Sequence, residues 1–256
     1  MTRTRSARLR VALALVGAAC SLGSSQATGT RNGRLTARPT AVATSVPPGF
    51  SGLGIGVSRD GILYVPAAAK AGPVPLMVVL HGAGGSAQGM RRRLFETMDS
   101  IDFAVLIPDS RGPTWDAIRS DYGPDVAFLD SALKLVFARV AIDPARMIVS
   151  GFSDGASYAL GLGRINGDFF ARVLAFSPGF VPHGVAKGKP EIYITHGNDD
   201  PILPFEATSQ RLIPMLTRAG YIVTLKRFVG GHTVPADVAS EAFRWATARK
   251  DSKPPG

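Results

Sequence analysis

The run VPLMVVL at 74–80 is apolar at every position, which marks a strand buried on both faces rather than one with a wet side. Shorter strand candidates follow at 103–107, 147–150, 173–176 and 192–195, and 221–228 reads as the last strand. Between them lie stretches with helical spacing, at about 86–98, 125–140, 155–163, 204–219 and 235–249. Buried strands alternating with helices predict an α/β fold with a mostly parallel central sheet and helices on both faces. Asp125 is expected to cap the helix that aligns Val126, Leu129, Leu133 and Val136, and Pro214 to kink the helix at 204–219. Upstream, Asp60-Gly61 between 53–58 and 62–65 signals an N-terminal hairpin. The 256 residues show no internal repeat, and a single domain over 51–250 accommodates all of these elements.

The ends of the chain read differently. Residues 1–10 carry four arginines and are followed by the short apolar stretch VALALVGAAC, the pattern of an export signal, too short to span a bilayer. Ser25-Gln26-Ala27 suits cleavage after residue 27, whereas Gly17-Ala18-Ala19-Cys20 resembles a lipobox that would leave Cys20 as a lipid anchor. The expected location is therefore outside the cytoplasm, periplasmic, extracellular or membrane-anchored. Residues 28–50 read as a flexible linker and 251–256 as a disordered tail. Cys20 is the one cysteine, so the body has no thiol for a disulfide, a thiolate metal site or a cysteine nucleophile. The net charge of +10 is concentrated in the first 50 residues, which hold seven arginines and no acid. The body lacks the basic field that nucleic-acid binding needs, and the cluster Arg91-Arg92-Arg93 reads as a solvated helix face.

Chemistry-bearing residues gather at strand ends. Gly151-Phe152-Ser153-Asp154-Gly155 matches G-x-S-x-G with a strand before it and a helix after it. A serine on such a sharp turn projects its hydroxyl above the sheet, and the flanking glycines avoid clashes. A hydroxyl needs a base. His232 occupies a Gly-flanked loop between the last strand and last helix, whereas His81 and His196 each precede a glycine at a strand end and read as structural. His183 reads as a loop residue. The imidazole needs a carboxylate in turn, and His196-Gly197-Asn198-Asp199-Asp200 offers Asp199 or Asp200 without deciding between them. His81-Gly82-Ala83-Gly84-Gly85 can bring backbone N–H groups to a substrate oxygen; one oxyanion donor is expected from Ala83 and another from Asp154. A phosphate-loop alternative fails for want of Gly-Lys-Ser/Thr. Trp115, Phe152 and Phe180 are candidate walls of a substrate pocket.

Together LHGAGGS, GFSDGAS, THGNDDPILP and GGHTVP resemble the α/β-hydrolase esterases of the phospholipase/carboxylesterase group, with polyhydroxybutyrate-depolymerase-like and feruloyl-esterase-like relatives. The resemblance implies Ser153 as nucleophile, His232 as base and Asp200, at the end of H-G-x-x-D, as the triad acid. It also implies a small-molecule ester or thioester substrate, an acyl-enzyme, and no metal or organic cofactor. Asp154 departs from the glutamine common after the nucleophile in that group. No large cap domain is expected, because few residues are left to build one. A serine peptidase on the same fold, or a binding protein that has lost catalysis, are the alternative readings.

Overall fold

The computed structural model describes residues 32–42, 45–56, 58–98 and 102–248; the side chains of 95–98 are excluded. The signal segment, Cys20 and the tail lie outside the described residues. Eight strands form one sheet: β1 (Gly49–Gly52), β2 (Gly61–Val65), β3 (Val74–Leu80), β4 (Ala104–Pro108), β5 (Ile142–Phe152), β6 (Arg172–Phe176), β7 (Glu191–Gly197) and β8 (Val223–Phe228). Their order is β1-β2-β4-β3-β5-β6-β7-β8. Pairings β1–β2 and β2–β4 are antiparallel and all the others parallel. The helices are α1 (Ala87–Met98), α2 (Asp116–Arg119), α3 (Pro124–Arg139), α4 (Asp154–Ile165), α5 (Ser209–Arg218) and α6 (Ala236–Thr247). Among the described residues no helix is long and apolar enough to cross a membrane.

The two-residue period of a strand sorts the core into two layers. Leu76, Val78 and Leu80 of β3 point into the larger layer, with Val126, Leu129, Leu133 and Val136 of α3, Leu160 of α4 and Leu216 of α5. Met77 and Val79 point the other way, toward Met90 and Leu94 of α1 and Ala242 and Phe243 of α6. The apolar run at 74–80 is thus explained by helices on both faces. The chain leaves β3 toward β4 on one side and continues from β5 through β8 on the other. The direction of sheet growth therefore reverses between β3 and β5, and the crevice at their carboxyl ends is where such sheets bind ligands.

Several expectations need correction. The hairpin exists, but its first strand is Gly49–Gly52 rather than 53–58. The Asp60 carboxylate accepts N–H groups from Gly54, Ile55 and Gly56, at 2.7, 3.2 and 3.0 Å, and folds the expected strand into a loop. Asp125 does not cap α3. Gly123 holds the cap position, Pro124 occupies the first turn, and the buried Asp125 carboxylate reaches back to the preceding loop. β5 begins five residues early because a bulge near Pro144, tied by the Asp143–Arg146 ion pair at 2.7 Å, interrupts its pairing with β3. Pro214 lies within α5, which starts only at Ser209 after a 3-10 turn at Phe205–Ala207.

The segment expected to be a linker is the largest departure. Leu35 and Ala37 are each 2% exposed. Thr36 and Ala37 donate their N–H groups to Asp130, Arg34 forks onto Asp168 at 2.8 and 2.9 Å, and the Leu35 N–H meets Asn166 Oδ1. Asn166, fully buried, also donates from Nδ2 to the carbonyls of Gly33 and Leu162. Its replacement by alanine leaves two buried backbone groups, the Leu35 N–H and the Gly33 carbonyl, without partners, each costing about 1–3 kcal/mol. Asn166→Ala is therefore expected to lower stability by about 2–4 kcal/mol in urea unfolding and to expose residues 32–42 to proteolysis.

Candidate active site

The strand-to-helix turn after β5 is shaped by lack of room. An ideal Cβ on Gly155 would lie 2.3 Å from the Leu80 carbonyl oxygen, and one on Gly151 would lie 2.3 Å from the Gly155 carbonyl. Only glycines let α4 start this close to the end of β3. Between them Ser153 adopts φ 57°, ψ −121°, a strained conformation for a residue with a side chain. Its N–H is tied to the Phe176 carbonyl at 2.9 Å, and its hydroxyl is held at the N-terminus of α4.

Two loops bring the partners. Asp200 follows β7 and His232 follows β8, and the Asp199 N–H donates to the Gly230 carbonyl at 3.0 Å, binding the loops to each other. His232 Nε2 lies 2.9 Å from Ser153 Oγ, and Nδ1 lies 2.6 Å from Asp200 Oδ2. A carboxylate only accepts, so Nδ1 carries the proton and Nε2 is left to accept from the serine hydroxyl. The carboxylate that faces His232 belongs to Asp200, not Asp199. Burial pushes the Asp200 carboxyl up, but the Leu203 N–H, the His232 imidazole and the Ile202 N–H outweigh it and hold it below the ordinary aspartate range. A charged acid beside a correctly oriented imidazole, itself against an alcohol, is the arrangement that activates a nucleophile.

The other buried histidines are structural. His81 Nε2 accepts the Ser110 N–H at 3.0 Å, which leaves Nδ1–H to donate to the Gly82 carbonyl at 2.8 Å. His196 lies between Ser209 Oγ and the Leu203 carbonyl, both at 2.7 Å, and holds the loop that carries Asp200. Burial lowers the pKa of both, in keeping with neutral rings.

The glycine loop after β3 lies over the serine, with the Cβ position of Gly82 3.3 Å from Ser153 Cβ. Gly84 N–H is pinned to the Pro113 carbonyl at 2.7 Å and Gly85 N–H to the Gly82 carbonyl at 3.0 Å. Among the described residues the Ala83 N–H makes no hydrogen bond, and Asp154 stands at the first position of α4, where an N–H has no intrahelical acceptor. The Asp154 carboxylate is engaged by the Thr114 hydroxyl at 2.7 Å.

Of the three expected pocket walls, Phe152 is half-buried against the His232 ring, with centroids 4.7 Å apart. Trp115 is fully buried and walls nothing. Its Nε1–H donates to the His81 carbonyl at 2.8 Å and its ring packs on His81 and Tyr158, so it supports the glycine loop from below. Phe180 is exposed and lines a separate hollow with Ile118, Tyr122, Pro182 and His183. An open hollow of about 550 Å³ adjoins the serine turn, lined by the glycine loop, Phe152, Met90, Arg92 and Arg93. The arginines and the Pro113 and Thr114 contacts were not apparent as site features in the sequence, because they depend on loops pairing across the sheet edge. Among the described residues no cluster of three or more His, Cys, Asp or Glu side chains could hold a metal ion.

No family model matches this chain. It is 31% identical over 147 residues to NocK of Nocardia uniformis subsp. tsuyamanensis, named as an esterase, a match covering 53% of this chain and 42% of that one. It is 27% identical over 138 residues to a protein of Aspergillus clavatus named as feruloyl esterase C, covering 51% and 50%. The chain thus spans half or less of these relatives. Among solved structures, esterase PE8 superposes with a TM-score of 0.60 at 23% identity, over 74% of this chain and all of the other.

Two predictions follow from this packing. Gly155→Ala drives a methyl into the end of β3 and is expected to prevent stable folding or to displace Ser153, seen as lost cooperative unfolding or as loss of active-site labelling. In the first turn of α3, Asp125 accepts the N–H groups of Arg111 and Asp116. Burial, with Asp116 nearby, pushes its carboxyl up to about 6. An unfolded aspartate titrates near 3.9, so the folded state holds the extra proton between pH 4 and 6 and this contribution to stability is lost as pH rises. Buried His81 and His196 act in the opposite sense, so the effect is isolated by difference. The stability gap between wild type and Asp125→Asn is expected to shrink by about 2–3 kcal/mol from pH 4 to pH 6.5.

The sheet order, the helices on both faces and the serine turn at the reversal point identify the chain as having the α/β-hydrolase fold, with similarity over about half its length to proteins named as esterases.

Proposed function

We propose that this chain is a serine hydrolase of carboxylic esters or thioesters acting through Ser153, His232 and Asp200. The observation that carries the proposal is the unbroken hydrogen-bonded line from Asp200 through His232 to Ser153 at the reversal point of the sheet. Similarity to proteins named esterase and feruloyl esterase supports the substrate class.

In this mechanism Ser153 Oγ attacks the ester carbonyl as His232 Nε2 takes its proton. The developing oxyanion is met by the N–H groups of Ala83 and Asp154, each such donor lowering the barrier by about 2.7–4 kcal/mol. His232 then protonates the departing alcohol. Water, deprotonated by the same imidazole, releases the acid from the acyl-enzyme. Asp200 keeps the imidazole in the required tautomer and stabilises its protonated form. None of these steps calls on a metal or organic cofactor. Among the described residues no domain is inserted between the strands, which favours small esters in an open cleft. The basic n-region and apolar stretch of residues 1–20 support export, and Gly17-Ala18-Ala19-Cys20 offers Cys20 as a site of lipid attachment.

A fluorophosphonate probe is expected to label the wild type and to leave Ser153→Ala unlabelled. On p-nitrophenyl esters, Ser153→Ala and His232→Ala should each reduce kcat by about 10⁴-fold or more. A folded wild type that takes no label and turns over no ester would overturn the reading in favour of a binding protein. Turnover of peptide anilides in preference to esters would replace it with a peptidase.

A further inference from the structure

We propose that the hollow between the glycine loop and α1 is an anion subsite, in which Arg92 and Arg93 hold a carboxylate carried by the ester substrate. The proposal rests on the esterase reading and narrows its substrate class.

The hollow adjoins the reacting atoms. Gly82 lies against Ser153 Cβ and Phe152 packs on the His232 ring, and both residues line it. At about 550 Å³ it has room for a small acid beside the scissile bond. Its glycine-rich wall offers mainly backbone, and among the described residues no acidic side chain lines it. Asp154, the nearest carboxylate in sequence, lies outside the lining and is held by Thr114.

Charge enters from α1 alone. Arg92 and Arg93 are both exposed and line the hollow, and among the described residues neither forms an ion pair. Several other arginines of the body are occupied. Arg34 grips Asp168, Arg146 grips Asp143, and Arg59, Arg111 and Arg172 donate to backbone carbonyls. The Arg93 guanidinium stands 5.8 Å from the centroid of Phe152, whose ring is 4.7 Å from that of His232. One aromatic ring therefore separates a free guanidinium from the candidate base. A guanidinium matches a carboxylate through two parallel N–H donors, and a second arginine one residue away adds charge to the same opening.

The carboxylate can belong to the acyl half or to the alcohol half of the ester, and two substrate pairs separate these cases. p-Nitrophenyl hydrogen glutarate against p-nitrophenyl pentanoate tests the acyl side. 4-Carboxyphenyl acetate against 4-methylphenyl acetate tests the alcohol side. The ratio of kcat/KM for the charged to the neutral member is the readout. In at least one pair this ratio is expected to fall by about tenfold in the Arg92→Gln, Arg93→Gln double variant, with smaller falls in the single variants. It should also fall at high salt, and should hold in Arg211→Gln, an exposed arginine on α5. If neutral esters are hydrolysed but both ratios are the same in wild type and double variant, the subsite is overturned and the esterase reading stands. If a folded wild type hydrolyses none of the four esters and takes no fluorophosphonate label, both fall together.

Discussion

The close approach of α4 to the end of β3 governs the rest of the site. Two positions without side chains, Gly151 and Gly155, let the helix begin against the Leu80 carbonyl, and the turn between them can then be made only with Ser153 at positive φ. That one steric constraint sets three things at once. It aims the serine hydroxyl across the carboxyl ends of the strands, leaves the Asp154 N–H at a helix start, and brings Gly82 of the neighbouring loop to van der Waals distance. The strain costs about 1–3 kcal/mol. It is sustained because the end of β5 lies between β3 and β6, paired to the first over 147–151 and to the second over 148–152, and the Ser153 N–H is itself tied to Phe176.

Around this turn, neutral imidazoles serve as fasteners rather than as reagents. His81 joins the glycine loop to Ser110, and His196 joins the end of β7 to α5 and to the loop that presents Asp200. Both are deeply buried, where a charge would be costly, and each ring nitrogen has its own partner. His232 differs in having one nitrogen directed at the hydroxyl of Ser153. Three histidines at three strand ends therefore differ in role through what faces their second nitrogen.

The central strands are readable because burial on both faces leaves continuous apolar runs that nothing else in the chain requires. The serine turn was readable because steric need dictates both its glycines and its neighbours. Asp199 and Asp200 could not be told apart by spacing, since adjacent residues in a loop point where the loop's own hydrogen bonds send them. The N-terminal segment looked featureless because what orders it, Asp130 and Asn166, lies some hundred residues downstream. Trp115, which could equally wall the crevice or pack in the core, is undecided by sequence for a related reason. A position just after a strand end says that a side chain is near the crevice, but not whether it faces the opening or the floor. Arg92 and Arg93 sat in a run of three arginines that reads as an ordinary wet helix face, and only the folded glycine loop gives them a cavity to border.

The strap at residues 33–35 meets the body at Asn166, just past the last turn of α4, whereas Ser153 starts that helix. Thirteen residues at the rise of an α-helix separate the two by about 20 Å. A chain entering at Gly33 therefore joins the molecule at its rear. The crevice that holds Ser153 and the point where the strap joins the body therefore lie at opposite ends of α4.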